Sequence, residues 1–384
     1  MFRDIEPKTS ISAKDVLPTG HGGTMQSDAE NNSDRISITI DGVDRINEVC
    51  ACTFLYRADK VFHSVFLDLP PFSRQHPEKF QLRPTDVPYT WAVTVELPLA
   101  SRFSFRMIEL NEPFEERHIG AERFASKPMW ASGMSIETPG VEPAYSAVLP
   151  QGTPVGKVTE YAIKAGSEQP ERQVWLYEPA KESEGNIEKL LIFFDGEMYL
   201  KAVNAASIID SLIHRQEIPR VAALFVSPLE GMREKEFVLN PDFASHTANG
   251  LREFAEEKLG KRFGEGSCVA VGASFGGIAA LYMAKQHPEF IHGVIAQSPS
   301  LWRCQDRMDD LSGAANAYFL NIHWGVFETQ EKNGTSLAEA NRQFVEMLAA
   351  AGHSFEFEEY RGGHGAVNWR EALPKALKNV LKKI

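Results

Sequence analysis

The segment CVAVGASFGGIAALYMA, residues 268–284, reads as an apolar strand, a glycine-rich turn and an apolar helix. Ser274 stands in that turn between Gly272 and Gly276 and completes the pattern G-x-S-x-G. The pattern alone is a weak signal, because three fixed residues of common types recur by chance in a long chain. The strand before it and the helical periodicity after it strengthen the signal, since a nucleophilic serine is typically held on such a strained strand-to-helix turn. A serine that merely fits a glycine turn is the alternative.

A serine hydroxyl is a poor nucleophile without a base, so a histidine should follow later in the chain. His364 lies in the glycine-rich segment RGGHGAVNW, after a predicted edge strand and before the last predicted helix. An α/β-hydrolase places its base at this point of the chain. His323 lies inside the predicted strand YFLNIHW, and His353 lies in a helix-to-strand turn that we expect to be exposed. The pattern therefore predicts His364 as the base.

The acid that orients this histidine should lie on a loop after the strand that follows the serine turn and its helix. The segment NIHWGVFETQEKN offers Glu328 and Glu331 but no aspartate. Glu328 is preferred because it comes soon after the predicted strand end at Gly325. Asp309 and Asp310 stand in a polar stretch before that strand and are less favoured. Glu331, and a serine–histidine pair without an acid, stay open.

An oxyanion hole needs two backbone N–H groups aimed at the developing negative charge. One candidate is the amide of Phe275, directly after the serine. The second should follow an early strand, and FFDGEMY fits, with Gly196 allowing close approach. The amide of Gly196 or of Glu197 is therefore the second candidate.

The chain as a whole reads as an α/β protein with an all-β region in front. From about residue 158 to 384, near-continuous apolar strands alternate with amphipathic helices, which predicts a mostly parallel sheet with helices on both faces. Residues 36–110 contain several short strands with β-branched and aromatic residues, which predicts a small β-sandwich domain. Residues 1–35 read as a polar, disordered leader, and residues 111–157 read as a proline-rich linker.

Composition excludes some classes of function. The net charge of −12 argues against a general nucleic-acid surface, although a local pocket could still be basic. No run approaches the roughly 20 apolar residues of a membrane helix, and no secretion signal is recognisable at the N-terminus, so we expect a cytoplasmic protein. The cysteines have no metal-ligand spacing and are expected to stay reduced.

With these residues in place, the chain from about residue 45 to 384 resembles the enterochelin (enterobactin) esterase family, which carries a β-sandwich before its α/β-hydrolase domain. The resemblance rests on FFDGEMY, IHRQEIPRVAALFV, REKEFVLNPDF, VAVGASFGGIAALYMAKQHPEFIHGVIAQSPSLWR and GGHGAVNWR, and on the N-terminal strands VCACTFLYR and YTWAVTVELP. The shorter motifs DGE, SFGG and GGH are shared with the broader esterase-D-like group, which includes feruloyl esterases.

The resemblance implies hydrolysis of the esters of a cyclic tri-serine catecholate siderophore, with release of its iron. Ser274, His364 and Glu328 then match the nucleophile, the base and the acid. It implies a small-molecule ferric siderophore as partner, no catalytic metal or cofactor, and iron that arrives with the substrate.

A ferric catecholate is a trianion with large aromatic faces, which arginine and tryptophan would suit through charge and stacking. Four such residues stand on predicted loops near the site: Arg233, Trp302, Arg303 and Trp369. Ordinary packing or a salt bridge is the alternative for each. Two other functions stay open: a carboxylesterase for another acyl ester, such as a feruloyl ester, and a non-catalytic binding protein with a hydrolase fold.

Overall fold

The computed structural model describes residues 9–12, 35–118, 134–142, 149, 151–164, 170–181, 183, 185–312, 318–332 and 334–384. Two regions make up this part of the chain: an N-terminal β region, residues 36–137, and an α/β region, residues 157–383. A short strand, β1 (Thr9–Ser12), precedes both and pairs with the α/β region.

The N-terminal β region consists of a six-stranded antiparallel sheet and a separate two-stranded antiparallel pair. Its elements are β2 (Ile36–Asp44), β3 (Val49–Arg57), β4 (Ser64–Asp68), the single-turn helix α1 (Phe72–Gln75), β5 (Gln81–Pro84), β6 (Thr90–Pro98), β7 (Arg102–Ser104), β8 (Arg106–Leu110) and β9 (Ser135–Glu137). The strand order is β2-β3-β6-β5-β4-β8, and β7 pairs with β9. The first half of β5 pairs with β4 and its second half with β6, so one short strand joins two halves of the sheet. A strand that changes partners in this way turns a corner between packed layers.

Alternation along β3 shows why this region folds. In VCACTFLYR the side chains of Cys50, Cys52, Phe54 and Tyr56 are buried, while those between them are less so. Successive side chains of a strand point to opposite faces, so this pattern buries one face in the N-terminal core. Cys50 and Cys52 accordingly lie on the same face as core residues, as expected.

The α/β region is built on one large sheet. The strands of this region are β10 (Lys157–Lys164), β11 (Glu171–Glu178), β12 (Lys189–Phe194), β13 (Val221–Val226), β14 (Cys268–Ala273), β15 (Ile291–Gln297), β16 (Phe319–Gly325) and β19 (Phe355–Tyr360). A separate short pair is formed by β17 (Glu331–Lys332) and β18 (Thr335–Ser336). Its helices are α2 (Gly196–Met198), α3 (Ala205–His214), α4 (Arg233–Phe237), α5 (Pro241–Ser245), α6 (Arg252–Leu259), α7 (Phe275–Gln286), α8 (Met308–Ser312), α9 (Leu337–Ala350) and α10 (Ala366–Lys383).

Nine strands form this sheet in the order β1-β10-β11-β13-β12-β14-β15-β16-β19, with the last six parallel to one another. Strand β12 shows how it is covered on both faces: Leu190, Ile192 and Phe194 enter one core cluster, while Leu191 and Phe193 enter the other. A parallel strand buried on both sides reads as a continuous apolar run. The predicted fold class, an α/β-hydrolase region preceded by an all-β region, is confirmed.

Two details differ from the sequence-based expectations. Residues 9–12, assigned to the polar leader, form β1 and pair with β10; the rest of residues 1–34 lies outside the described part of the chain. Residues 135–137, assigned to the linker, pair with β7 as β9. Such short strands are hard to recognise among polar residues and scattered prolines. An edge strand pairs on one side only, so it does not need the continuous apolar run that marks a central strand. Within the residues that the structure describes, no helix has both the length and the apolar character needed to cross a bilayer.

A buried carboxyl group joins α3 to the sheet. Asp210 is 3% exposed, and its Oδ1 accepts hydrogen bonds from the Tyr177 hydroxyl at 2.7 Å and from the Gly156 N–H at 2.9 Å. Burial raises the pKa of Asp210 to about 6, because the charged form loses its hydration.

We expect this group to make stability fall as pH rises. Since its pKa in the folded chain lies above the ordinary 3.8, the contribution is complete below about pH 4 and is lost as pH rises through about 6. Asp210→Asn keeps the accepting oxygen but cannot ionise, so the free energy of unfolding should fall less between pH 4 and pH 7, by up to about 3 kcal/mol. Urea unfolding across this range measures the difference, and exposed Asp86 provides the control Asp86→Asn. Equal pH dependence in wild type and Asp210→Asn would contradict the assignment.

Candidate active site

Predicted site residues, together with two serines that were not predicted, lie at one edge of the large sheet. Each follows the carboxyl end of a parallel strand, and neighbouring parallel strands present these ends side by side. The residues are Gly196 after β12, Ser274 after β14, Ser298 and Ser300 after β15, Glu328 after β16 and His364 after β19. Sheet topology therefore gathers residues that lie far apart in the chain.

Ser274 occupies a strained turn between β14 and α7. Its backbone angles are φ 58° and ψ −119°, a conformation that L residues rarely adopt. Its N–H donates to the Gln297 carbonyl at 2.9 Å, and its carbonyl accepts from the Ser300 N–H at 3.1 Å. A Cβ on Gly272 would lie 2.0 Å from the Gly276 carbonyl oxygen, so the turn closes only with glycine there. These are the features of a nucleophile elbow.

The Ser274 side chain is partly buried and faces a second serine. Ser274 Oγ lies 3.1 Å from Ser300 Oγ, and either hydroxyl can donate. Ser300 was not among the predicted site residues. The segment QSPS after β15 was the available signal, since small polar residues that follow a buried parallel strand reach the same edge as Ser274.

Glu328 and His364 form a hydrogen-bonded pair. His364 Nδ1 lies 2.7 Å from Glu328 Oε2, and the histidine side chain is 35% exposed while the glutamate side chain is 1% exposed. With the glutamate ionised, Nδ1 carries the proton, which leaves Nε2 as the nitrogen that can accept one. Trp369 packs edge-on against the imidazole, with ring centroids 5.0 Å apart.

The buried carboxylate of Glu328 receives further donors at Oε1. Ser298 Oγ donates at 2.7 Å, the Gly325 N–H at 2.8 Å and the Tyr360 hydroxyl at 3.3 Å. Burial raises the pKa of Tyr360 well above its ordinary value, so its hydroxyl stays protonated and can donate. Sequence reasoning missed Ser298 and Tyr360, because nothing in the local pattern shows that their side chains converge on one carboxylate.

The other candidates lie elsewhere. Glu331 is exposed on β17, while Asp309 and Asp310 are exposed on α8. His323 is buried in β16, as expected of a core residue. His353, expected to be exposed, is instead buried, and its Nε2 contacts the Ser312 carbonyl. The turn is covered because α8, which follows a different strand, packs over it.

His323 belongs to a satisfied polar network beneath the site. The Gln297 side-chain amide donates to His323 Nε2 at 2.7 Å and to the Trp369 carbonyl at 2.9 Å, and accepts from the Tyr199 hydroxyl at 2.6 Å. His323 Nδ1 faces Asn321 Oδ1 at 3.3 Å. Burial lowers the pKa of His323 to about 3, so this histidine is neutral and contributes hydrogen bonds to the network.

The predicted oxyanion amides lie at the starts of α2 and α7. The helix-initial N–H groups there have no intrahelical acceptor, so they can serve a developing anion. A Cβ on Gly276 would lie 3.2 Å from both Asp195 Oδ2 and Phe194 Cβ, which shows how closely the two turns pack. A Cβ on Gly196 would lie 2.7 Å from the Phe225 carbonyl carbon. The candidate amides of Gly196, Glu197 and Phe275 therefore belong to two turns in contact.

Of the four predicted substrate-binding residues, Arg233 contacts the elbow, while Trp302 and Arg303 lie in the 3-10 helix Leu301–Arg303 that follows Ser300. Arg233 makes a bidentate ion pair with Asp195, at 2.7 and 2.6 Å, and its guanidinium lies 5.2 Å from the centre of the Phe275 ring. Arg303 pairs with Glu234 at 2.6 Å.

Trp302 stands two positions after Ser300, and the Lys332 ammonium lies 4.9 Å from the centre of its ring. The prediction that all four residues stand on loops is wrong: Arg233 begins α4, Trp302 and Arg303 lie in a 3-10 helix, and Trp369 is helical as well. Trp369 differs most. It lies on α10 rather than on a loop, is 6% exposed, and donates from Nε1 to Ser298 Oγ at 3.1 Å. Its indole supports the imidazole from behind, since the helix that carries it packs against the sheet.

Comparison with known proteins identifies the family of this chain. The Esterase family model, described as "Putative esterase", matches residues 167–380. The chain belongs to this esterase family. The prediction of an esterase is thereby confirmed, and the match covers most of the α/β region, including Ser274 and His364.

One relative extends the likeness to nearly the whole chain. The iron(III) salmochelin esterase of Escherichia coli O6:H1 (strain CFT073) is 25% identical over an alignment of 409 residues, 96% of this chain and 96% of that protein. The iron(III) enterobactin esterase of Dickeya dadantii (strain 3937) is 26% identical over 221 residues, 53% of this chain and 50% of that protein. The enterobactin esterase FES from Shigella flexneri, solved in the presence of 2,3-di-hydroxy-N-benzoyl-serine, superposes with a TM-score of 0.75 at 19% identity, covering 91% of this chain and 97% of that one. The resemblance to enterobactin esterases is confirmed.

The close approach at the elbow gives a test of the local structure. We expect Gly272→Ala to lower the free energy of unfolding by about 3 kcal/mol or more, because its new methyl group would overlap the Gly276 carbonyl. Gly264→Ala is the control, since a Cβ there meets nothing nearer than Ser267 Oγ at 4.0 Å. Chemical denaturation of both variants measures the difference. Equal stability of the two would mean that the turn is not closed as described.

Proposed function

We propose that this protein is a serine esterase that hydrolyses the ester bonds of a ferric catecholate siderophore of the enterobactin type and so releases iron in the cytoplasm. The hydrogen bond between His364 and Glu328, at the same sheet edge as Ser274 on its elbow, carries the proposal. The substrate class is supported by the salmochelin esterase relative, which aligns along 96% of the chain.

In the first half of the reaction, His364 Nε2 takes the proton from Ser274 Oγ as that oxygen attacks the ester carbonyl. The serine hydroxyl must turn from Ser300 Oγ, its partner at 3.1 Å, toward the imidazole. The Glu328 carboxylate stabilises the imidazolium that forms, and the amide of Phe275, with that of Gly196 or Glu197, stabilises the oxyanion.

In the second half, the imidazolium of His364 donates its proton to the departing alkoxide, which leaves as a serine hydroxyl of the opened lactone. The acyl group stays on Ser274 as an ester. His364 then removes a proton from water, and the hydroxide attacks the acyl-enzyme. The imidazolium returns this proton to Ser274 Oγ as it leaves, which gives the carboxylic acid and free Ser274. One ester and one water become one acid and one alcohol, and no metal ion takes part.

Charge and aromatic surface beside the elbow suit a trianionic catecholate complex. Trp302 offers an indole face near Ser300, and the Lys332 ammonium lies over that face. Arg303 is 46% exposed and shares its charge with Glu234. The protein as a whole has a net charge of −12, so any electrostatic attraction of an anionic substrate must come from these local cations.

Ferric enterobactin tests the substrate directly. We expect the wild type to convert it to linear trimer, dimer and monomer, as followed by chromatography, and Ser274→Ala to leave it intact. Ser267→Ala, a serine substitution away from the site, should cleave like wild type. If the wild type leaves the siderophore whole yet labels at Ser274 with a fluorophosphonate, the nucleophile stands and the substrate is another ester, such as a feruloyl ester. If it neither cleaves nor labels, the chain is a binding protein.

The role of the acid is tested with two glutamates of the same loop. Glu328→Gln keeps the shape of the side chain but removes the charge that faces the imidazole, so we expect kcat to fall by about 10⁴-fold. Glu331→Gln should leave kcat unchanged, because Glu331 is exposed on β17. Steady-state rates on a small p-nitrophenyl ester measure both. Full activity of Glu328→Gln would indicate a serine–histidine pair without an acid.

A further inference from the structure

The loops that carry Glu328 and His364 both lie against the N-terminal β region. On the histidine side, Arg102 of β7 forms a parallel bridge with Gly362, and its carbonyl accepts from Asn368 Nδ2 at 3.2 Å. A Cβ on Gly365 would lie 2.8 Å from Ser104 Oγ, also on β7. The base loop therefore runs so close to β7 that a side chain at position 365 would displace the Ser104 hydroxyl.

On the acid side, the contact is an aromatic side chain. Phe327 packs against both Phe72 of α1 and Phe103 of β7, with ring centroids 5.7 and 5.6 Å away. Those two rings are themselves 5.2 Å apart, so the three rings form a triangle. Phe72 and Phe103 form what we call the aromatic socket. Phe327 thus packs against the core of the N-terminal β region rather than against the sheet that carries its own loop.

Polar contacts flank the socket along the same loop. Gln75 Nε2 donates to Thr329 Oγ1 at 3.0 Å, and Arg74 donates to Gln330 Oε1 at 3.3 Å. Three successive contacts with α1, through residues 327, 329 and 330, show that this short helix follows the loop on both sides of Glu328.

Phe327 also connects the two loops. It directly precedes Glu328, and its N–H donates to the Gly362 carbonyl at 3.2 Å, two residues before His364. A shift of the Phe327 backbone would therefore move the acid and disturb the base loop together.

We propose that Phe327, seated in the aromatic socket, is a positioning residue that holds Glu328 and His364 in register with Ser274. The N-terminal β region thereby acts on the chemistry through this side chain, without contact with the reacting atoms. The proposal rests on the proposed roles of Ser274, His364 and Glu328. Catalytic geometry tolerates little displacement, since a shift of about 1 Å can cost roughly 100-fold in rate.

The test compares single and double truncations in the full-length protein. We expect Phe327→Ala to lower kcat on a p-nitrophenyl ester and the rate of fluorophosphonate labelling by roughly 10- to 100-fold, with KM little changed. Phe72→Ala, 255 positions away in the chain, should give a similar loss, and the double variant should be no slower than Phe327→Ala alone, because both remove one contact. Phe327→Leu should restore most of the rate by refilling the socket.

The matched control is Phe114→Ala. Phe114 is also half-buried against the N-terminal core, where it stacks on Phe66 at 4.2 Å. This variant should lose stability without loss of rate. The final amplitude of labelling counts folded sites, so a purely structural role for Phe327 would lower the amplitude while each remaining site reacts at the normal rate.

Two outcomes would overturn the proposal, and they are distinguishable. If Glu328→Gln is slow but Phe327→Ala reacts like Phe114→Ala, the positioning role is wrong and the proposed function stands. If Glu328→Gln keeps the full rate, the proposed acid is wrong and the positioning role falls with it.

Discussion

The structure around the site depends on one buried charge. The Glu328 side chain is 1% exposed, and a carboxylate out of water is costly unless donors surround it. Its oxygens take hydrogen bonds from Gly325, Ser298, Tyr360 and His364, which come from three different strand ends. Satisfying this one group therefore brings the loops after β15, β16 and β19 together, and the imidazole is oriented as a consequence.

Close backbone packing fixes the position of Ser274, the proposed nucleophile, just as narrowly. Gly272 and Gly276 let β14 and α7 approach until no side chain fits between them, and the strained conformation of Ser274 persists because hydrogen bonds to Gln297 and Ser300 hold it from the neighbouring strand. The sheet, the strained turn at Ser274 and the buried carboxylate of Glu328 together fix the positions of the candidate catalytic groups. In our proposal, the N-terminal β region positions the loops of Glu328 and His364 through its contact with Phe327.

Sequence reasoning succeeded where physical signals are local. Alternation of apolar strands and helices predicted the α/β region, and the glycine-rich turns around Ser274 and His364 predicted elements that the structure places at one sheet edge. It failed where burial depends on distant elements. His353 is covered by α8, and Trp369 lies behind the imidazole instead of at the mouth, because the packing of a helix cannot be inferred from its own residues.

The sequence by itself determined the fold class, the strand–turn–helix around Ser274 and a few candidate catalytic partners for that serine. Periodicity and glycine spacing, which carry these predictions, are properties of neighbouring residues. Only the tertiary structure decided that Glu328 rather than Glu331 faces His364, that Ser298 and Tyr360 share its carboxylate, and that Phe327 packs into the N-terminal β region. Those contacts join residues separated by up to 255 positions. Their geometry follows from strand order and from the packing of one region on another, which no local pattern encodes.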